Sequence, residues 1–161
     1  MPHEFEAQDG DVRNTGFPAI FKANGTNIPV SGYAFDASSV ESLFFRFRAS
    51  DYTSGNIAVD LDWYADTASS GAVMWGCQIA AITPNTDTQD IETDSLATQT
   101  TTTTTHLGTT GQRLHRTTVT VSNLDSIATD DQVVLCVQRV ANNGADTLTG
   151  DALLTYVTVA A

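Results

Sequence analysis

Few side chains in this sequence of 161 residues are arranged for catalysis. The three histidines, His3, His106 and His115, are far apart in the sequence, and His115 falls on the apolar parity of its strand, where we expect it to be half-buried. Asp60 and Asp62 occupy alternate positions of another predicted strand, and two neighbouring carboxylates are able to act as acid and base. The solvated outer face of a strand accounts for them as well. Because no nucleophile and base come together in the pattern, we predict that the protein is not an enzyme.

Two tryptophans raise the question of ligand binding. Trp63 and Trp75 each lie in an apolar run, and exposed aromatic rings are the stacking platforms of many sugar-binding modules. Both residues share the parity of aliphatic neighbours, Leu61 in one run and Ile79 in the other. We therefore predict that both rings belong to the core. An exposed aromatic cluster beside acidic residues would instead indicate a carbohydrate-binding module.

Metal and redox chemistry have little support. The irregular stretch 83–97 carries four acids whose oxygens are suitable calcium ligands, although their spacing is not that of an EF-hand; they are Asp87, Asp90, Glu92 and Asp94. A solvated acidic loop is the simpler interpretation, and calcium binding stays open. Cys77 and Cys136 lie in apolar runs without a CxxC spacing, so we predict buried free thiols, with a disulfide between them as the alternative. No cofactor is predicted.

The charge balance excludes some partners. The formal net charge is −12, and only seven residues are basic. Lys22 is the single lysine, and no basic side chain occurs between Arg48 and Arg113. Such a surface repels nucleic acid and anionic membranes, so we predict neither as a partner. No apolar run reaches about 18 residues, the length that a membrane-spanning helix needs.

Alternation of apolar and polar residues with a period of two dominates the chain, and no segment keeps a period of 3.6 over three turns. The threonine run 100–105 is also interpreted as a strand, since threonine favours strands. Predicted strands are 19–23, 28–35, 43–48, 57–64, 72–82, 98–107, 112–121, 132–140 and 152–159. The small and polar residues 65–71 are typical of a hairpin loop, and 123–130 of one helical turn. We predict an all-β fold, an antiparallel, jelly-roll-like β-sandwich of about eight strands.

The first 18 residues show no periodicity. We predict an N-terminal arm over 1–18 and a β-sandwich domain over 19–161. Apolar side chains in the arm would be costly to leave in water, and most arginines lie toward the two ends of the sequence, away from its acidic middle. We predict that these residues face a partner, which is either a second copy of the chain or a larger assembly. The predicted partner-binding residues are Phe5, Val12, Arg13, Phe17, Arg46, Arg48, Arg113 and Arg116.

From about Ser39 onward the sequence resembles small virion proteins of tailed bacteriophages. The resemblance rests on short motifs at the ends of the predicted strands. They are DYTSG at 51–55, DWYA at 62–65, SGAVMW at 70–75, SNLDS at 122–126, and the DT and GDA of 146–147 and 150–152. The acidic loop and the threonine run continue the pattern between them.

This resemblance implies a head decoration, or cement, protein that binds the major capsid protein on the outer surface of the capsid and stabilises the shell. It also implies a closed homo-oligomer, for which a homotrimer matches the three-fold positions of a capsid lattice. The alternative is a carbohydrate-binding or structural module of a phage tail or fibre.

Overall fold

The computed structural model describes residues 2–160, which form two facing antiparallel sheets. A three-residue 3₁₀ helix, Ala7–Asp9, is the only helix in this part of the chain, and none there is long and apolar enough to cross a membrane. The strands are β1 (His3–Glu6), β2 (Ala19–Ala23), β3 (Val30–Phe35), β4 (Glu41–Arg48), β5 (Ile57–Ala65), β6 (Ala72–Ile82), β7 (Thr100–Thr105), β8 (His115–Val121), β9 (Gln132–Arg139) and β10 (Ala152–Ala160).

The strand order confirms the predicted jelly roll. The six-stranded sheet has the order β2-β3-β10-β5-β8, and β1 pairs with the same edge of β10 as β3, farther along the strand. The four-stranded sheet has the order β4-β9-β6-β7. Eight of the strands, β3 to β10, therefore divide between two sheets in the jelly-roll order, and β1 and β2 extend the first sheet.

Period-two patterning places one face of each sheet in the core. Trp63 of β5 and Trp75 of β6 come from opposite sheets, are both fully buried, and have ring centroids 6.3 Å apart. Phe35 meets the Trp75 ring edge-on at 5.1 Å. The prediction that both tryptophans are core residues is thus confirmed.

The connection after β5 differs from the predicted hairpin. β5 and β6 belong to different sheets, so residues 66–71 cross from one sheet to the other instead of turning back. Gly71 has a φ of +98°, and a Cβ there would lie 2.8 Å from the Leu148 Cα. This position therefore needs glycine for both its conformation and its space.

The predicted helical turn at 123–130 is also wrong. Asp125 and Ser126 have φ values of 53° and 57°, which no right-handed helix contains. The Asp125 carboxylate accepts a hydrogen bond from the Ala81 N–H at 2.9 Å. This bond to the tip of β6 stabilises the left-handed turn in place of a helix.

Residues 2–18 do not form a separate arm. β1 pairs with β10, Phe5 stacks on Phe45 at 5.2 Å, and Ala7 is buried. Farther along, Asp11 pairs with Phe44 through two backbone hydrogen bonds of 2.7 and 2.9 Å. The segment thus satisfies its hydrogen bonds on its own sandwich, so the boundary predicted at residue 18 does not match a structural one.

One buried ion pair fixes the loop between β9 and β10. The Arg139 side chain lies in the core and forms a bidentate pair with Asp146 at 2.8 and 3.0 Å. Its remaining N–H groups donate to the carbonyls of Phe35, Leu148 and Gly150 at 2.7–3.2 Å. All five guanidinium donors are therefore satisfied, as a buried charge requires.

Candidate functional site

The outer face of the four-stranded sheet carries the candidate site. The inward residues of its strands form the core, so the alternate residues point outward. Across β4, β9 and β6 the outward side chains form four rows: Ser42, Gln138 and Gly76; Phe44, Cys136 and Gln78; Arg46, Val134 and Ala80; Arg48, Gln132 and Ile82. Consecutive rows are about 7 Å apart along the strands.

A groove with a volume of about 450 Å³ lies over the second, third and fourth rows. It exists because the third row contains small side chains, Val134 and Ala80, between the larger Phe44 and Ile82. The floor is thus an apolar strip built on rigid strands. Two loop segments rise beside it and supply charge.

The first wall is the segment 11–13, which runs beside β4. Its backbone pairing with Phe44 holds it in place, and the Asp11 carboxylate accepts a hydrogen bond from Arg46. The Arg13 guanidinium lies over the Phe44 ring, 5.3 Å from its centroid, within the range of a cation–π contact. Val12 completes this wall and is 42% exposed. The wall therefore presents one guanidinium group, one carboxylate and an apolar side chain, and it adjoins the Arg46 guanidinium of β4.

The second wall is the acidic loop, of which Ile91, Glu92, Asp94 and Leu96 line the groove. The loop is folded by its own side chains. Asp87 accepts from the Thr83 N–H at 2.7 Å, and Asp90 accepts from the Glu92 N–H at 3.0 Å. Its end returns to the sheet where the Ala97 N–H donates to the Ile79 carbonyl at 2.8 Å.

These acids do not gather around a common point. Among residues 2–160, no group of three or more His, Cys, Asp or Glu side chains is placed to hold a metal ion. Asp87, Asp90 and Asp94 accept hydrogen bonds within the loop, and Glu92 and Asp94 line the groove.

A second depression of about 270 Å³ adjoins the groove at its fourth row. Arg46 lines both cavities, so they are adjacent, and together they are called the joined cavities. Arg48, Gln132, Asp130, Phe47 and Pro84 complete the lining. Within the described part of the chain Arg48 has no ion-pair partner, and its side chain is exposed.

The first row is a hydrogen-bonded ladder beside the groove. The Gln138 amide donates to the Ser42 hydroxyl at 2.7 Å, and the Gln99 amide donates to the Gln138 oxygen at 2.7 Å. The Gln99 side chain lies directly over Gly76, where an added Cβ would be 2.5 Å from its amide carbon. This ladder crosses three strands and stiffens the sheet next to the site.

The two cysteines are free and buried, as predicted. Cys77 belongs to the core cluster, whereas Cys136 lies in the second outward row. Burial raises the pKa of both thiols, so neither is a nucleophile near neutral pH.

The structure divides the predicted partner-binding residues into several places. Arg13, Arg46, Arg48 and Val12 line the joined cavities. Phe5 packs on the core, and Phe17 is exposed outside the groove. Arg113 lies in the β7–β8 connection, where it donates to the Leu107 carbonyl, and Arg116 pairs with Asp62 at 2.6 and 2.8 Å on the six-stranded sheet.

The carboxylates considered for acid–base chemistry are already engaged. Asp62 holds Arg116, and Asp60 accepts from the Thr118 hydroxyl. Both lie on the outward face of β5, and no described cavity contains them. The solvated strand face predicted for them matches this arrangement.

A histidine pair is the feature that the sequence did not indicate. His106 and His115 are both buried, with ring centroids 4.4 Å apart, and Trp63 stacks on His115 at 4.7 Å. His106 accepts from the Gly108 N–H at 2.9 Å, and His115 accepts from the Leu107 N–H at 3.0 Å. Each ring therefore uses one nitrogen as a hydrogen-bond acceptor. The pair fixes the β7–β8 connection.

No protein-family model and no curated protein matches this sequence. Solved structures overlap with it loosely. One is CBM28, a carbohydrate-binding module specific for non-crystalline cellulose, with 13% identity, a TM-score of 0.49, and coverage of 94% of this chain and 85% of that one. Another is the family 11 carbohydrate-binding module of Clostridium thermocellum in complex with a mixed-linked tetrasaccharide, with 7% identity, a TM-score of 0.44, and coverage of 98% and 84%.

An exo-β-1,3-galactanase of Phanerochaete chrysosporium overlaps at 12% identity and a TM-score of 0.45, with 99% of this chain on 29% of that one. Overlaps with TM-scores below 0.5 transfer neither a ligand nor a site. The function must therefore be inferred from the groove itself.

Proposed function

We propose that this protein is a non-catalytic carbohydrate-binding module whose ligand lies in the groove over Phe44, Val134 and Ala80. The observation that supports the proposal is the construction of the groove, which has a volume of about 450 Å³ and an apolar floor between two walls that carry charged side chains. A shallow, preformed cleft of mixed polarity is typical of a site for an extended, hydroxyl-rich ligand.

Sugar chemistry suits both parts of this site. A pyranose ring has an apolar C–H face, which fits against Phe44 and the small aliphatic residues of the third row. Its hydroxyl groups both donate and accept hydrogen bonds. The second wall offers carboxylate acceptors in Glu92 and Asp94, and the third row offers a guanidinium donor in Arg46. Hydrogen bonds to such charged groups are stronger than neutral ones.

The aromatic content of the groove differs from that of a module with a tryptophan platform. Phe44 is its only aromatic side chain among the described lining residues, because both tryptophans are buried. Affinity in this proposal depends on the walls and on the rigid floor, which the Ser42–Gln138–Gln99 ladder supports. A preformed site loses little conformational entropy when its ligand binds.

The test is binding of a panel of soluble polysaccharides, measured by affinity gel electrophoresis and titration calorimetry. Ala80→Phe should fill the third row and weaken binding at least tenfold. The matched control is Ala58→Phe, which adds the same side chain on the outward face of β5 in the other sheet and should leave affinity unchanged. Thermal unfolding of both variants separates blocked binding from lost folding.

Two outcomes would overturn the proposal. One is that no glycan binds. The other is that Ala58→Phe abolishes binding while a folded Ala80→Phe protein keeps full affinity.

A second candidate function is attachment to the head shell of a tailed phage, with the major capsid protein as partner and the capsid surface as location. The observation in its favour is the exposure of Val12 and Phe17, at 42% and 46%, near the N-terminus. Co-sedimentation with empty heads tests it directly. Phe17→Ser should reduce attachment several-fold without changing glycan binding, and unchanged attachment would count against this candidate.

A further inference from the structure

We propose that the depression beside the groove binds an acidic group of the ligand, and we call it the acidic subsite for that reason. The ligand is then a glycan that carries carboxylate groups, of the uronic acid class. This inference rests on the proposed function and names its substrate class. It depends on Arg46 and Arg48, which line the 270 Å³ depression together with Gln132.

The positions of the basic residues are the first argument. The chain has seven basic residues against nineteen acidic ones. Arg139 is buried with Asp146, Arg116 is held by Asp62, and Arg46 is paired with Asp11. Of the four that remain, two line the joined cavities: Arg13 and Arg48. With Arg46 included, three of the seven basic side chains lie on this face.

Strand geometry is the second argument. Arg46 and Arg48 are alternate residues of β4, so their side chains leave the same face of the sheet about 7 Å apart. Arg46 already pairs with Asp11, but Arg48 has no carboxylate partner within residues 2–160. A guanidinium has a planar, forked donor set that matches a carboxylate in a bidentate pair. The unpaired Arg48 is therefore suited to an acidic group of the ligand.

The groove and the depression differ in the charges that line them. The groove has an apolar floor and acidic residues on its far wall, Glu92 and Asp94, which would repel a carboxylate. The depression is lined by the unpaired Arg48, by Arg46, whose partner is Asp11, and by the carboxylate of Asp130. A chain that spans both would place neutral sugar faces and hydroxyl groups in the groove and an acidic group beside Arg48.

The experiment compares three acidic polysaccharides, namely polygalacturonate, alginate and hyaluronan, with their methyl esters. Esterification removes the charge and keeps the sugar chain. At least one acid form should bind tenfold or more tightly than its ester, and this preference should shrink as sodium chloride rises from about 50 to 500 mM because salt screens exposed charges.

Arg48 variants locate the effect. Arg48→Gln should lower affinity for the acid form about tenfold and leave the ester unaffected, because only the acid form gains a charge-assisted pair. Arg48→Lys should recover part of the loss. The control is Arg113→Gln, another exposed arginine that lies outside both cavities, and it should bind as the unchanged protein does.

The outcomes distinguish the acidic subsite from the carbohydrate-binding function on which it rests. Equal binding of acid and ester in the groove, or an acid preference that survives Arg48→Gln, would overturn the acidic subsite and leave the carbohydrate-binding proposal intact. Binding of dextran sulfate but of no uronic acid polymer would overturn the carboxylate assignment. Binding of no glycan, neutral or acidic, would overturn both.

Discussion

The buried Arg139–Asp146 pair makes a sharp prediction about stability. Replacing Arg139 with methionine keeps much of the side-chain volume but removes all five guanidinium donors. It leaves the Asp146 carboxylate buried, with only the Met74 N–H at 3.0 Å still donating to it, and three carbonyls lose a partner.

The expected loss is about 3–5 kcal/mol in the free energy of unfolding, the range found when one member of a buried ion pair is removed. Arg116→Met is the matched control, since Arg116 also forms a bidentate pair, with Asp62, but its side chain is 59% exposed. Surface pairs contribute about 0–1 kcal/mol, so this variant should lose little.

Urea unfolding, followed by tryptophan fluorescence, measures both variants. Trp63 and Trp75 are in the core, so their emission reports the loss of the sandwich. If Arg139→Met cost no more than Arg116→Met, the conclusion that this pair fixes the β9–β10 loop would be wrong. A double variant, Arg139→Met with Asp146→Leu, should recover stability because it leaves no unpaired charge.

Three further predictions follow from the core and the N-terminal segment. Burial, together with the neighbouring His106, lowers the pKa of His115. The unfolded chain then binds more protons than the folded one, so stability should fall as pH drops below about 6.5. In a pH series of thermal unfolding, His115→Gln should flatten that part of the curve. Trp63→Ala should cost about 3–5 kcal/mol in urea unfolding, whereas Leu114→Ala, at a side chain that is 60% exposed, should change stability by no more than about 0.5 kcal/mol. A chain that begins at Gly10 lacks β1 and the Phe5 contact and should melt at a lower temperature than the full chain; an unchanged melting temperature would contradict the pairing of β1 with β10.

Strand parity made the fold and the core predictable. Trp63 and Trp75 share the apolar parity of their strands, and a residue on that parity in a sandwich points inward. The crossing from β5 to β6 was not predictable in the same way. The small and polar residues 66–71 suit a hairpin or a crossing equally, and the choice depends on which strands pair at a distance.

The charged side chains of the site were predictable in part. Arg13, Arg46 and Arg48 were expected to face a partner, and they line the joined cavities. The groove itself was hidden, because Ala80 and Val134 look like core residues in runs that are apolar on both faces. Only their register, one beside the other in the third row, makes a depression.

The partners of the buried polar side chains were not predictable either. Arg139 lies in an apolar run, and nothing in that run shows that Asp146 returns to meet it across the following loop. His106 directly follows β7 and His115 begins β8, nine residues later. The two rings touch because β7 and β8 are adjacent edges of the two sheets.

A backbone amide NMR titration with the tightest-binding glycan of the panel is the most direct test of the carbohydrate-binding groove. The shifts should concentrate in 11–13, 44–48, 80–84, 91–96 and 130–134, the segments that line the two joined cavities. Shifts centred on the outward face of β5 and β8, with these segments unchanged, would contradict it.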